Sequence, residues 1–161
     1  MALETIAFWI LAAFTVVSTF FTVLTRNVVH SALGLAASLI GAAALFILFG
    51  AEFVGLAQIL IYVGAVVILF MFGIMLTGTA IRPVVDNDQR PTAALVAIAV
   101  FVVLAAGIIS SFGTKKIHFD VAFPTVALGH ALFTRWVLPF EAVSILLLAA
   151  LVGAIVLARR D

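Results

Sequence analysis

Apolar runs at residues 6–24, 31–49, 53–76, 92–112 and 140–158 dominate the chain, each close to the roughly 20 residues a helix needs to cross a hydrocarbon core. Polar segments separate them: TRNVVH around Arg26, GAE around Glu52, TGTAIRPVVDNDQRP, GTKKIHFD and a closing ARRD. No run holds Asp, Glu, Lys or Arg at its middle, where a charge costs roughly 2.5 to 3.5 kcal/mol. The pattern predicts an all-α integral membrane bundle of five transmembrane helices, forming one domain over residues 1–161.

The polar segments also carry an orientation signal. Arg26, Arg82, Arg90, Arg159 and Arg160 fall on one side of the runs, and Lys115, Lys116 and Arg135 on the other. The positive-inside rule then sets the N-terminus outside and the C-terminus in the cytoplasm. MALETIAFW carries an acid and no Lys or Arg before its apolar run, which predicts a retained first helix rather than a signal peptide. The connection near residues 50–52 is so short that the second and third helices must form an antiparallel hairpin. Residues 113–138, with Pro124 and ALGHALFTRW, predict a short interfacial helix that sets Trp136 at headgroup level.

Composition narrows the function classes. Of 161 residues, 66% are hydrophobic and only 9% charged, against about 25% charged in a soluble domain. The net charge of +1 comes without a basic patch, which argues against nucleic-acid binding. Cysteine is absent, so this chain offers no disulfide, no thiolate metal site and no cysteine ligand for an iron–sulfur cluster. Any redox centre must belong to a partner. His118, His130 and Asp120 do not fall at a metal-ligand spacing, and no nucleophile–base pair, phosphate loop or dinucleotide fingerprint is present. His30 and Arg26, in a short connection, suit helix capping or lipid phosphates. The expectation is no catalytic, cofactor-binding or metal site in this chain.

Helices associate in a bilayer by close packing at small residues, because lipid tails are as apolar as leucine. Gly34, Ser38 and Ala42 recur every four residues on the second helix, and Ala149 with Gly153 and Ala150 with Ala154 do so on the fifth. Such stripes on several faces suit a subunit wedged among others. The third helix, GAEFVGLAQILIYVGAVVILFMFGIML, holds Gln58 and Tyr62 one turn apart, polar groups at bilayer depth that need hydrogen-bond partners. Gly64 follows, and a glycine inside a helix weakens it by about 1 kcal/mol relative to alanine. Together they mark a soft, polar place in mid-membrane, of the kind where π-type irregularities occur. The alternative is a plain interhelical hydrogen bond with Gly64 admitting a close neighbour. Glu52 and Glu141 stand at the ends of runs, where acids ordinarily face headgroups or water. Glu141 follows Pro139, which suits the first turn of a helix and the favourable dipole there.

Two stretches make the chain recognisable: RNVVHSALGLAASLIGAAALFILFGAEFVGLAQILIYVGAVVILFMF, with QILIYVGAVVILF its most specific part, and ALGHALFTRWVLPFEAVSILLLAALVGAIVLA. With the weaker fourth helix between them, the chain resembles, over nearly its whole length, the subunit J family of bacterial NADH:quinone oxidoreductase, counterpart of subunit 6 of the mitochondrial complex. The resemblance implies five transmembrane helices, no cofactor on this chain, and flavin, iron–sulfur clusters and quinone in partner subunits. It implies packing beside the subunits near the quinone site and the adjacent small proton-channel subunit, in the bacterial inner membrane. It further implies a π-bulge at Tyr62, Val63, Gly64 and Ala65, whose helix rotates to make or break a water chain, with Glu52 as an acid often found at that place. Two departures stand out. Val28 follows Asn27 where the family often has proline, and the sequence ends at Asp161, directly after the fifth run, without the tail some members carry.

The expected function is therefore a non-catalytic membrane-arm subunit that helps couple quinone reduction to proton transfer, with Tyr62, Gly64, Val63, Ala65 and Gln58 as gate and Glu52 and Glu141 as supporting acids. The rival is a purely structural five-helix spacer. An independent transporter would need an intramembrane charged site, which the runs lack.

Overall fold

The computed structural model describes residues 2–77, 89–113 and 124–159. All the regular structure among them is helical. Five helices are long and apolar enough to span a membrane: Leu3–Leu24, Val28–Leu48, Glu52–Thr77, Pro91–Phe112 and Val137–Ala158. We label the elements α1 (Ala2–Leu24), α2 (Val28–Leu48), α3 (Glu52–Ala57), a π segment (Gln58–Val66), α4 (Val67–Thr77), α5 (Arg90–Phe112), α6 (Thr125–Thr134) and α7 (Val137–Ala158). The third span is α3, the π segment and α4 in continuous succession. The basic loop residues Arg82, Lys115, Lys116 and Arg160, together with Asp86, Asp88, His118, Asp120 and Asp161, lie outside the described residues.

α1 and α2 form the tightest pair among the described helices. Three threonine hydroxyls on α1 would be stranded at bilayer depth, and each donates to a carbonyl one turn back: Thr15 to Leu11, Thr19 to Thr15 and Thr22 to Ser18, at 2.7 to 2.8 Å. Ser31 Oγ then reaches across the pair and donates to the Thr22 carbonyl at 2.5 Å. The ring of Phe8 near the start of α1 lies 5.9 Å from that of Phe49 just beyond the end of α2, as an antiparallel arrangement requires.

α2 starts at Val28 rather than at position 31 because Asn27 caps it, its side chain accepting the Val29 N–H at 3.0 Å. An N-cap asparagine thus supplies a helix start without proline. Gly34 and Ser38 of the small-residue stripe are buried, but the third deep contact is Gly41; Ala42, one position on, is only half-buried. An added Cβ at Gly34 would lie 2.8 Å from both Phe21 Cδ1 and Thr22 Oγ1, and one at Gly41 would collide with the Thr15 hydroxyl. The two backbones meet where side chains are missing.

The hairpin expected at 50–52 is present. Gly50 has φ 78°, and the N–H groups of Gly50 and Ala51 donate to the carbonyls of Ile47 and Phe46 at 3.0 and 2.9 Å. This double closure caps α2 and reverses the chain, so the third span returns along α2. Gly55 sits so close to α2 that a Cβ would come within 2.9 Å of the Ala43 carbonyl oxygen.

The C-terminal half is differently organised. α6 is a short apolar helix, as expected for an interfacial segment, and Trp136 follows it half-exposed. α6 packs on α7, with Phe133 and Phe140 edge to face at 5.0 Å. α7 begins at Val137, one turn before the expected position 140, with Pro139 inside the first turn where its missing N–H costs nothing. Glu141 accordingly lies in the second turn of α7, not the first, and gains little from the helix dipole. α5 and α7 show almost wholly exposed apolar surfaces, and Gly107, Gly129 and Gly153 have nothing within 4 Å of an added Cβ.

Candidate functional site in the third span

A π-helical stretch of nine residues, QILIYVGAV, interrupts the third span at its centre. The expected irregularity at Tyr62 to Ala65 is present and wider than expected, since it begins at Gln58 and closes at Val66. All five expected gate residues, Gln58, Tyr62, Val63, Gly64 and Ala65, fall inside it. The backbone returns to α-helix at Val67, whose N–H reaches back five residues to the Tyr62 carbonyl. Each wider turn inserts backbone that an α-helix would not contain, and such insertions concentrate at functional positions.

The insertion shows in the packing register. Inward positions along the third span fall at Gly55, Gln58 (with Ala57 half-buried beside it), Val63, Val67, Met71 and Ile74, each buried or half-buried. Every step is three or four residues, as for one face of an α-helix, except the five from Gln58 to Val63. That single long step is the π segment read as burial. An uninterrupted α-helix would bring Tyr62 and Val66 to the α2 side in place of Val63 and Val67.

Tyr62 is 50% exposed on the face away from α2, and neither its hydroxyl nor the Gln58 amide bonds to a side chain among the described residues. A phenol at bilayer depth needs a partner, so this face is built to meet water or another polypeptide. Gly64 is exposed beside it. Its added Cβ would meet only the Ile59 carbonyl oxygen, at 3.6 Å, so no element among the described residues needs glycine there for close approach.

The two acids do not join this cluster. Glu52 is exposed in the first turn of α3, and Glu141 is exposed on α7, which packs on α6 rather than on the third span. No three His, Cys, Asp or Glu residues group as metal ligands among the described residues. The register step and the close contacts at Gly41 and Gly55 were not visible in the sequence pattern. Val63 and Val67 are as apolar as the Tyr62-side residues Ile59 and Val66, so no composition signal tells the inner face from the outer.

The sequence matches the family described as NADH-ubiquinone/plastoquinone oxidoreductase chain 6 over residues 18–157. It is 42% identical to NAD(P)H-quinone oxidoreductase chain 6 of Leptolyngbya boryana, covering 98% of this chain and 81% of the relative. It is 38% identical to F(420)H(2) dehydrogenase subunit J of Methanosarcina mazei, covering 99% and 93%. With NADH-quinone oxidoreductase subunit J of Rhodobacter capsulatus the identity is 34%, over 99% of this chain and 84% of the relative.

Proposed function

The chain belongs to the NADH-ubiquinone/plastoquinone oxidoreductase chain 6 family, and from that premise we propose that it is the membrane-arm subunit of a proton-translocating NADH:quinone oxidoreductase whose π segment gates hydration between the quinone module and acidic groups on neighbouring subunits. The three relatives carry different electron donors in their names while sharing this membrane chain. Donor chemistry therefore belongs to the partners, as do flavin, iron–sulfur clusters and quinone. The neighbours in this reading are the subunits beside the quinone site and the adjacent small proton-channel subunit. The loop arginines support a plasma-membrane orientation with the N-terminus outside and the C-terminus cytoplasmic.

The observation that carries the reading is the five-residue step from Gln58 to Val63. A π segment is one residue out of register with an α-helix, so it supplies two discrete arrangements of one sequence rather than a continuous bend. In the arrangement seen, the Tyr62 phenol lies clear of the tight α2 contact and can order water, while Gln58, expected on the same face one turn away, stays half-buried on the inner side because the wider π turn separates the two. On reverting to α, Tyr62 turns toward α2 and the water path breaks. Moving such an element from 1:99 to 99:1 takes about 5.5 kcal/mol of differential binding, which the quinone module must deliver.

Tyr62→Phe tests this in the assembled complex. Gating through an ordered water chain predicts fewer protons pumped per quinone reduced, with assembly intact. A structural spacer, the second reading, is favoured by the exposed small-residue faces of α5 and α7 and predicts that Tyr62→Phe is silent.

A further inference from the structure

A second feature lies at the end of the bundle, away from the π segment. Ala51, Phe53 and Val54 at the α2–α3 hairpin form one wall of an open cleft, and Pro124, Ala127, Leu128 and Ala131 of α6 and its start form the other. The cleft holds about 390 Å³, and every lining side chain is apolar. Its depth in the membrane is fixed by its walls. One is the turn between two spanning helices, and the other is a ten-residue helix, which at about 1.5 Å per residue is too short to cross and so lies at the interface.

The α6 wall continues into a charge. Ala127, Leu128 and Ala131 are spaced as one helical face, and Arg135 follows Ala131 by four residues on that same face. Its side chain is exposed and forms no hydrogen bond or ion pair among the described residues. Trp136, next to it, is the residue type that settles at headgroup depth. An apolar cleft with an exposed guanidinium one helical turn beyond the last residue of its α6 wall is complementary to a molecule with an anion and a long apolar chain. We propose that this cleft binds a membrane phospholipid, with one acyl chain between the hairpin and α6 and the phosphate on Arg135.

The site is tested with Leu128→p-benzoylphenylalanine, irradiated in native membranes containing the full chain and read by intact mass. The expected product is the chain carrying one phospholipid. Because a charge-assisted contact is lost, Arg135→Gln should lower that product about tenfold, and Ala131→Phe, which fills the cleft, should abolish it. Crosslinking to another polypeptide instead of lipid, no lipid adduct at all, or an adduct unaffected by Arg135→Gln would each overturn the proposal.

Discussion

Gln58 and Val63 are consecutive half-buried positions on the inner side of the third span although five residues separate them. Their spacing places Tyr62, one residue before Val63, on the outer face. In an unbroken helix the same tyrosine would occupy the inner stripe. The π segment thus decides which way the phenol faces.

The hairpin depends on absent side chains. Gly55→Ala puts a Cβ 2.6 Å from Ile47 Cγ1 and 2.9 Å from the Ala43 carbonyl oxygen, and the carbonyl is backbone that cannot step aside. Overpacking of this kind costs about 1 to 3 kcal/mol. A thermal-melt assay on the purified chain or complex should show a lower Tm for Gly55→Ala, and no loss for Gly73→Ala, whose Cβ meets nothing within 4 Å.

Gly50 holds the one positive φ among the described residues, at 78°. Gly50→Ala forces an L side chain into the left-handed region at about 1 to 2 kcal/mol, while Gly50→Asn, which tolerates that region better, should lose less. Membrane-inserted yield and Tm should rank glycine, then asparagine, then alanine. Equal values for all three would contradict the capping role of Gly50.

α5 and α7 expose small residues that no described residue of this chain covers. An added Cβ at Gly153 has nothing within 4 Å among the described residues, so a Gly153→Leu chain should insert and retain its α1–α2 packing. Recovery of partner subunits on a native gel should nevertheless fall several-fold. Full recovery would assign that face to lipid.

Much of this was legible beforehand, for physical reasons. Five spans follow from the cost of exposing backbone to hydrocarbon, which makes long charge-free runs into helices. The hairpin follows from the few residues available near Gly50. Tyr62 and Gln58 could be picked out because polar groups are rare at that depth. The starts of α2 and α7 were placed late because Asn27 and Pro139 carry cap and first-turn information that a hydropathy window blurs. The burial register was illegible because Val63, Val66 and Val67 are the same residue type, and only the backbone insertion tells them apart. Glu141 was set in the first turn for want of the one turn that Val137 and Leu138 begin.

The gate is tested most directly by the rates of NADH oxidation and of proton pumping, measured together, in a Gly64→Val complex purified with all its subunits. An added Cβ at Gly64 meets only ordinary contact among the described residues, so the fold of this chain should survive, and the comparison is made on complexes shown to hold every subunit. The β-branched side chain stiffens the segment that must change register. Coupled turnover and pumping should fall about tenfold, equivalent to about 1.4 kcal/mol on the rate-limiting step. Wild-type pumping from a fully assembled Gly64→Val complex would contradict a gating role for the π segment and leave this chain as a structural spacer.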